Sequence, residues 1–134
     1  MRGFVTGGGP DGRSRVEREV QLTDASVRNL WVSATGAPTL GLDLSKPDTM
    51  DLGVAPGGMR WAIVNYAPGQ ESPMHWTRTL DFDAVVRGSV TLNLDEGSIE
   101  LTPGDCVVLP GVRHGWRAGP EGCTFTCAIH GVEG

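Results

Sequence analysis

Lysine is almost absent from this chain, with one residue, Lys46, against ten arginines, and the 16 acidic side chains leave a formal net charge of −5. Such a balance repels phosphate backbones and anionic lipid headgroups, so neither nucleic acid nor a membrane surface is an expected partner. No run of 18 apolar residues occurs, and Met1 to Thr6, followed by Gly7, Gly8 and Gly9, lacks the apolar core of a signal peptide. A cytoplasmic location without a membrane span is therefore the expectation. Cysteine is scarce and odd in number: Cys106, Cys123 and Cys127 have no zinc-finger spacing. This excludes a secreted disulfide scaffold and reads as buried thiols. Aromatics make up only 6% of the residues, and a helical apolar period is missing.

Turn residues and short apolar runs are what the chain does have. Glycine (20) and proline (9) together make about a fifth of 134 residues, which suits a turn-rich fold rather than a helical bundle. With 39% hydrophobic and 20% charged residues, the composition is that of a folded chain near the size of one domain. Residues 1–15 are Gly-rich and polar and are expected to form a flexible arm, or a strand ordered only by a partner surface. Residues 16–134 are expected to form the single domain. Val16 to Leu22 alternates apolar and charged residues and is a better strand candidate than Val27 to Ser33. From Thr35 to Gly58, prolines and glycines without apolar period predict a long connecting loop.

After Gly58, short extended runs recur, each closed by a turn signal. They are Met59 to Tyr66, Met74 to Leu80, Asp83 to Arg87, Ser89 to Leu94, Ile99 to Leu101, Cys106 to Leu109, His114 to Arg117 and Cys123 to His130. Strands at such intervals predict an all-β sandwich or barrel. In the stretch from Pro73 to Asp81, His75, Thr77, Thr79 and Asp81 fall at every second position, so an extended strand points all four to one face. The opposite face holds Trp76, Arg78 and Leu80, a mixed set, so alternation alone leaves open which face is inside. The stretch from Pro103 to His114 runs from a turn through an apolar strand to a second turn, and a returning strand could bring His114 opposite His75.

These two stretches resemble the motifs of the cupin superfamily. The first matches in spacing: Gly69, five residues, His75, one residue, Thr77, three residues, Asp81, six residues, Gly88. The second runs from Gly104 through five residues to Pro110, then Gly111, one position early, and two residues later His114. Ala118 stands at its final asparagine position. The resemblance covers about Met59 to Ile129 and implies a small single-domain cupin: a conical antiparallel, jelly-roll-like β-barrel (a double-stranded β-helix), often dimeric, with one divalent metal inside. His75 and His114 match the first and last ligand positions. Asp81 stands where glutamate is usual, and Thr77 replaces the second histidine, which gives a His-x-Thr-x-Thr-x-Asp strand.

Three readings follow for the site. In one, His75, Asp81 and His114 form a two-histidine, one-carboxylate face for a divalent metal (Fe, Mn, Ni, Zn or Co) and oxygenase-like chemistry. In another the pocket is metal-free: His75 or His114 acts as acid or base, Asp81 orients it, and Thr77 and Thr79 bind a substrate oxygen in an isomerase, cyclase or lyase. In the third, the protein binds a small molecule without turning it over. No organic cofactor is expected, and a homodimer through N-terminal strands is. Trp31, Trp61, Trp76 and Trp116 read as core or interface packing, with Trp116, two residues after His114, the best candidate for a substrate contact. Cys123, Phe125 and Cys127 alternate as core lining, and His130 reads as solvated. Arg60, Arg78, Arg87, Arg113 and Arg117 could anchor an anionic substrate, although surface charge is the default for each.

Overall fold

In the computed structural model of the chain, residues 1–23, 26–32 and 48–133 are described. They form an all-β structure of nine strands in chain order: β1 (Arg2–Gly7), β2 (Arg15–Gln21), β3 (Thr49–Met50), β4 (Met59–Tyr66), β5 (Glu71–Thr77), β6 (Thr79–Leu94), β7 (Ser98–Leu101), β8 (Cys106–Pro110) and β9 (His114–Gly131). Thr35 to Pro47, most of the expected long loop, lies outside the described residues, as do Ser33 and Gly134. Val27 and Val32, at the ends of the weaker strand candidate, belong to no strand and are exposed.

Two pairs of runs separated by turn signals are single long strands. Asp83 to Arg87 and Ser89 to Leu94 fuse in β6, and His114 to Arg117 and Cys123 to His130 fuse in β9. Their pairing shifts register around Val85, Gly88 and Val90, and there the two strands pass together from one sheet to another. Gly88 and Gly122 allow the bend: both have positive φ (74° and 77°), and a Cβ at Gly88 would lie 2.0 Å from the Gly122 carbonyl oxygen. On one side of the bend the neighbours run β2, β1, β8, β6, β9, β4; on the other they run β7, β6, β9, β5, β3.

Inward residues of both sheets build one main core that includes Phe4, Val85, Leu92, Leu101, Leu109 and Phe125. Each fully buried Val, Leu or Phe there contributes on the order of 1.5–3 kcal/mol. A smaller cluster of Val5, Leu80, Val108 and Val132 lies on the outer side, where Leu30, Trp31 and Phe82 pack against it. That second cluster explains the mixed face opposite the histidine strand, because Leu80 is buried outside the barrel while Asp81 is buried within it.

The N-terminal arm is corrected. Arg2–Gly7 pairs antiparallel with β2 and parallel with β8 of the same chain, and its side chains from Gly3 to Val5 sit in the buried layer. Phe4 supplies the apolar anchor that composition alone did not weigh, and the Arg2 backbone amide donates to the Asp105 carboxylate at 2.8 Å. With β8 on one side and β2 on the other, β1 has its pairing partners within the chain. Trp61 is not part of the core: it is 75% exposed on the outer face of β4, beside Met59 and Ile63. Cys123 and Cys127 are buried as expected, whereas Cys106 is half-buried.

Candidate functional site

His75 near the end of β5 and His114 at the start of β9 are directly paired across the ladder, as the returning strand suggested. Their rings lie 4.6 Å apart between centroids and both are buried. Each Nδ1 lies close to the carbonyl oxygen two residues earlier, Pro73 at 2.7 Å and Val112 at 2.8 Å. A carbonyl only accepts, so each Nδ1 carries a hydrogen, and on a neutral ring Nε2 is then the lone-pair nitrogen. Burial, and secondarily the neighbouring His75, lower His114 to about 4, against the pull of the Val112 hydrogen bond. His114 is thus a neutral imidazole at neutral pH. Trp116 sets its ring edge-on to His114 at 5.8 Å and stacks on Phe125 at 5.1 Å, so it is buried packing that also walls the site.

The facing wall comes from the other sheet. Asp81 and Asp83 on β6 point inward at alternate positions, both buried, and each has an Oδ1 without a hydrogen-bond partner. Burial raises Asp81 to about 6, against the pull of the Thr79 hydroxyl and the positive charge of Arg60. Asp83 is raised well above the usual carboxylate range, by burial first and then by the charge of Asp81, which favours its protonated form. Cys127, the register partner of Asp83, has its thiol raised by burial and by the two carboxyls, which makes it an inert wall rather than a nucleophile.

Between the walls lies a cavity of about 170 Å³, lined by His75, Thr77, Asp81, Asp83, His114 and Trp116 among others. Thr77 reaches it with a hydroxyl that accepts from Thr79 at 2.9 Å. Thr79 is placed differently from the expectation. It does not line this cavity but backs Asp81 and borders a separate cleft beside Arg78 and Val132. The lining also includes residues outside the expected site set, Asp83, Cys127 and Arg60 among them. Asp83 continues the alternation of His75, Thr77, Thr79 and Asp81 by one step, a signal that was available in the sequence. Arg60 lines the mouth from β4, and only pairing across 60-odd residues of chain places it there. His130, read as solvated, is half-buried with its ring edge-on to Phe82 at 5.7 Å.

Two imidazoles with free Nε2 atoms, oriented by carbonyls, suit a transition metal. The carboxylate does not complete them. Among the described residues no three His, Cys, Asp or Glu side chains form a group able to hold a metal ion. His75 and His114 sit on β5 and the first part of β9, whereas Asp81 sits on β6 in register with Ile129. Thr77 offers only a hydroxyl already bonded to Thr79.

Comparison with known proteins now adds the lineage. The Cupin domain family matches residues 62–129. Phomopsin biosynthesis cluster protein C' of Diaporthe leptostromiformis is 41% identical over 75 residues, 55% of this chain and 38% of that protein. The cupin-domain-containing oxidoreductase srdB of Neurospora crassa is 32% identical over 104 residues, 75% of this chain and 53% of that protein. The chain thus spans about half or less of the length of these curated relatives. The solved structure of KdgF from Halomonas sp. superposes with a TM-score of 0.51 at 21% identity, over 56% of this chain and 71% of that one. An RmlC-like cupin from Shewanella frigidimarina gives 0.50 at 21% identity, over 56% and 68%. At these identities the likeness is one of fold.

Proposed function

The chain belongs to the cupin domain family, and on that premise we propose that it is a small-molecule enzyme whose barrel cavity carries acid/base chemistry between its two walls. One observation carries this reading: neutral His114 with a free Nε2, and Asp83, pushed toward its protonated form and with an unpartnered Oδ1, line the same cavity from opposite walls. Environments that drive one group to the base form and another to the acid form, both at neutral pH, are how one site serves both steps of a proton transfer.

In that reaction His114 Nε2 takes a proton from a carbon acid of the substrate. Asp83 then delivers its proton to a second atom, either a carbon, giving an isomer, or a leaving hydroxyl, giving an alkene and water. The proton left on His114 returns to Asp83 when product leaves, so the enzyme ends as it began. His75 places a second imidazole beside the first, and Trp116 and Phe125 exclude water from that end of the cavity.

A second reading, metal-dependent oxidation, is favoured by the carbonyl-anchored imidazole pair, and one relative bears the name oxidoreductase. It requires a third donor that the described residues do not bring to the pair. Deuterium incorporation from heavy water into a panel of small hydroxy and keto acids, followed by NMR, separates the two. Under the acid/base reading exchange survives dialysis against a chelator and is lost in His114→Gln and in Asp83→Asn. Activity that vanishes on dialysis and returns with one added divalent metal contradicts it.

A further inference from the structure

Arg60 occupies a place that the acid/base reading leaves without a task. It lies on β4 in register with Ile129 of β9, and Ile129 is in turn in register with Asp81 of β6. Arg60 and Asp81 are therefore on one cross-strand row of the same sheet, two strand spacings or about 10 Å apart. Arg60 faces the interior side with Ala62, Val64 and Tyr66, and among the described residues it is the only lysine or arginine lining the cavity. Among the described residues its guanidinium has no ion-pair or hydrogen-bond partner, whereas Arg2, Arg13, Arg15 and Arg113 each hold a carboxylate. Surface charge was its default reading, yet its charge is felt by Asp81 inside.

We infer that Arg60 is the anchor for the carboxylate of a small monoanionic organic acid, which enters the mouth of the cavity and projects its uncharged part between the two walls. Three features select this class. A guanidinium offers two parallel N–H donors to a planar carboxylate. Ala62, Val64 and Phe125 supply an apolar lining beyond it for a short carbon chain. Asp81, whose carboxyl at about 6 is largely ionised at neutral pH, would repel any second negative charge, so phosphate esters and dicarboxylates are disfavoured. Once the carboxylate is held, the atoms two or three bonds away lie toward Asp83 and the histidine pair. The inference deepens the acid/base reading and rests on it for the fate of the bound acid.

The test uses isobutyrate and benzoate with their matched amides, isobutyramide and benzamide, and malonate as the dianion. Each is titrated into the wild-type protein, Arg60→Gln and Arg60→Lys by calorimetry and by NMR of the histidine ring nitrogens. Because Arg60 is exposed, its substitution leaves the core intact, which near-UV circular dichroism checks. The wild type should bind each monocarboxylate at least about tenfold more tightly than its amide and more tightly than malonate. Arg60→Gln should erase that preference, and Arg60→Lys should keep only part of it. Equal affinity for acid and amide, a preference that survives Arg60→Gln, or no saturable binding of either acid up to about 10 mM overturns the inference. Failures of the two ideas are distinguishable. If the ring nitrogens of His75 and His114 respond to ligands without any carboxylate preference, the cavity reading stands and the anchor falls. If the preference depends on Arg60 while the rings stay unmoved, the anchor stands and the acid/base reading falls.

Discussion

Asp81→Asn should stabilise the protein relative to wild type at neutral pH and lose that advantage in acid. The wild-type carboxyl is held at about 6 against an ordinary 3.8, chiefly because burial penalises its charge. That difference corresponds to about 3 kcal/mol against the ionised form. The sign follows from proton uptake: between those two values the native state binds more protons than the unfolded chain, so wild-type stability falls as pH rises from about 4 to about 6. Above that window both states are ionised and the full penalty applies. Below it both are neutral and no penalty remains. Asparagine keeps the shape and cannot ionise, but its amide group inherits the unpartnered Oδ1 position, at a pH-independent cost of about 1–3 kcal/mol. The absolute difference between the proteins is therefore small, while its change with pH is not. Urea denaturation of both proteins at about pH 4 and about pH 7.5 should show the variant gaining roughly 2 kcal/mol or more between the two conditions. The same difference at both pH values would mean that Asp81 is solvated or ion-paired, and the assignment of two buried carboxyls to one wall would be wrong.

Other expectations follow from the same geometry. The acid limb of kcat/KM for proton exchange should lie near pH 4, where His114 would protonate, and His75→Gln should move it upward by removing the neighbouring ring that helps to lower His114. Gly88→Ala should cost several kcal/mol in urea denaturation, because the methyl would stand 2.0 Å from the Gly122 carbonyl oxygen at a φ of 74°; a loss under about 1 kcal/mol would mean that the bend between sheets relaxes freely. Asp105→Ala should destabilise the fold by about 2 kcal/mol or more, since this carboxylate accepts from the Arg2 and Thr102 backbone amides and from both side chains. Those bonds hold Asp105 below the usual carboxylate range, so its contribution is present at neutral pH and fades as pH falls through its lowered value. In the variant, amide exchange over Arg2–Gly7 should speed up, because β1 loses its tie to the start of β8.

The amino-acid sequence determined the class of structure and the positions of the barrel's chemistry. Gly and Pro turn signals between short alternating runs were enough for an all-β barrel, and the spacing around His75, Asp81 and His114 was enough for the cupin resemblance. These are local properties, fixed by a two-residue side-chain period and by φ values that few residues other than glycine adopt. Alternation divides a strand into two faces without saying which is inside, and here both faces of the Leu80–Asp81 segment are buried. Only the outer cluster of Val5, Leu80, Val108 and Val132 could reveal that. In the same way, Arg2–Gly7 looked like an arm because its neighbours are polar and glycine-rich, while its stability comes from β8, about a hundred residues away. The largest decision was made at Gly88 and Gly122, where β6 and β9 cross from one sheet to the other. That crossing sends the histidines to one wall and the aspartates to the facing one. Which wall a side chain joins is settled by long-range strand pairing, which no local spacing carries.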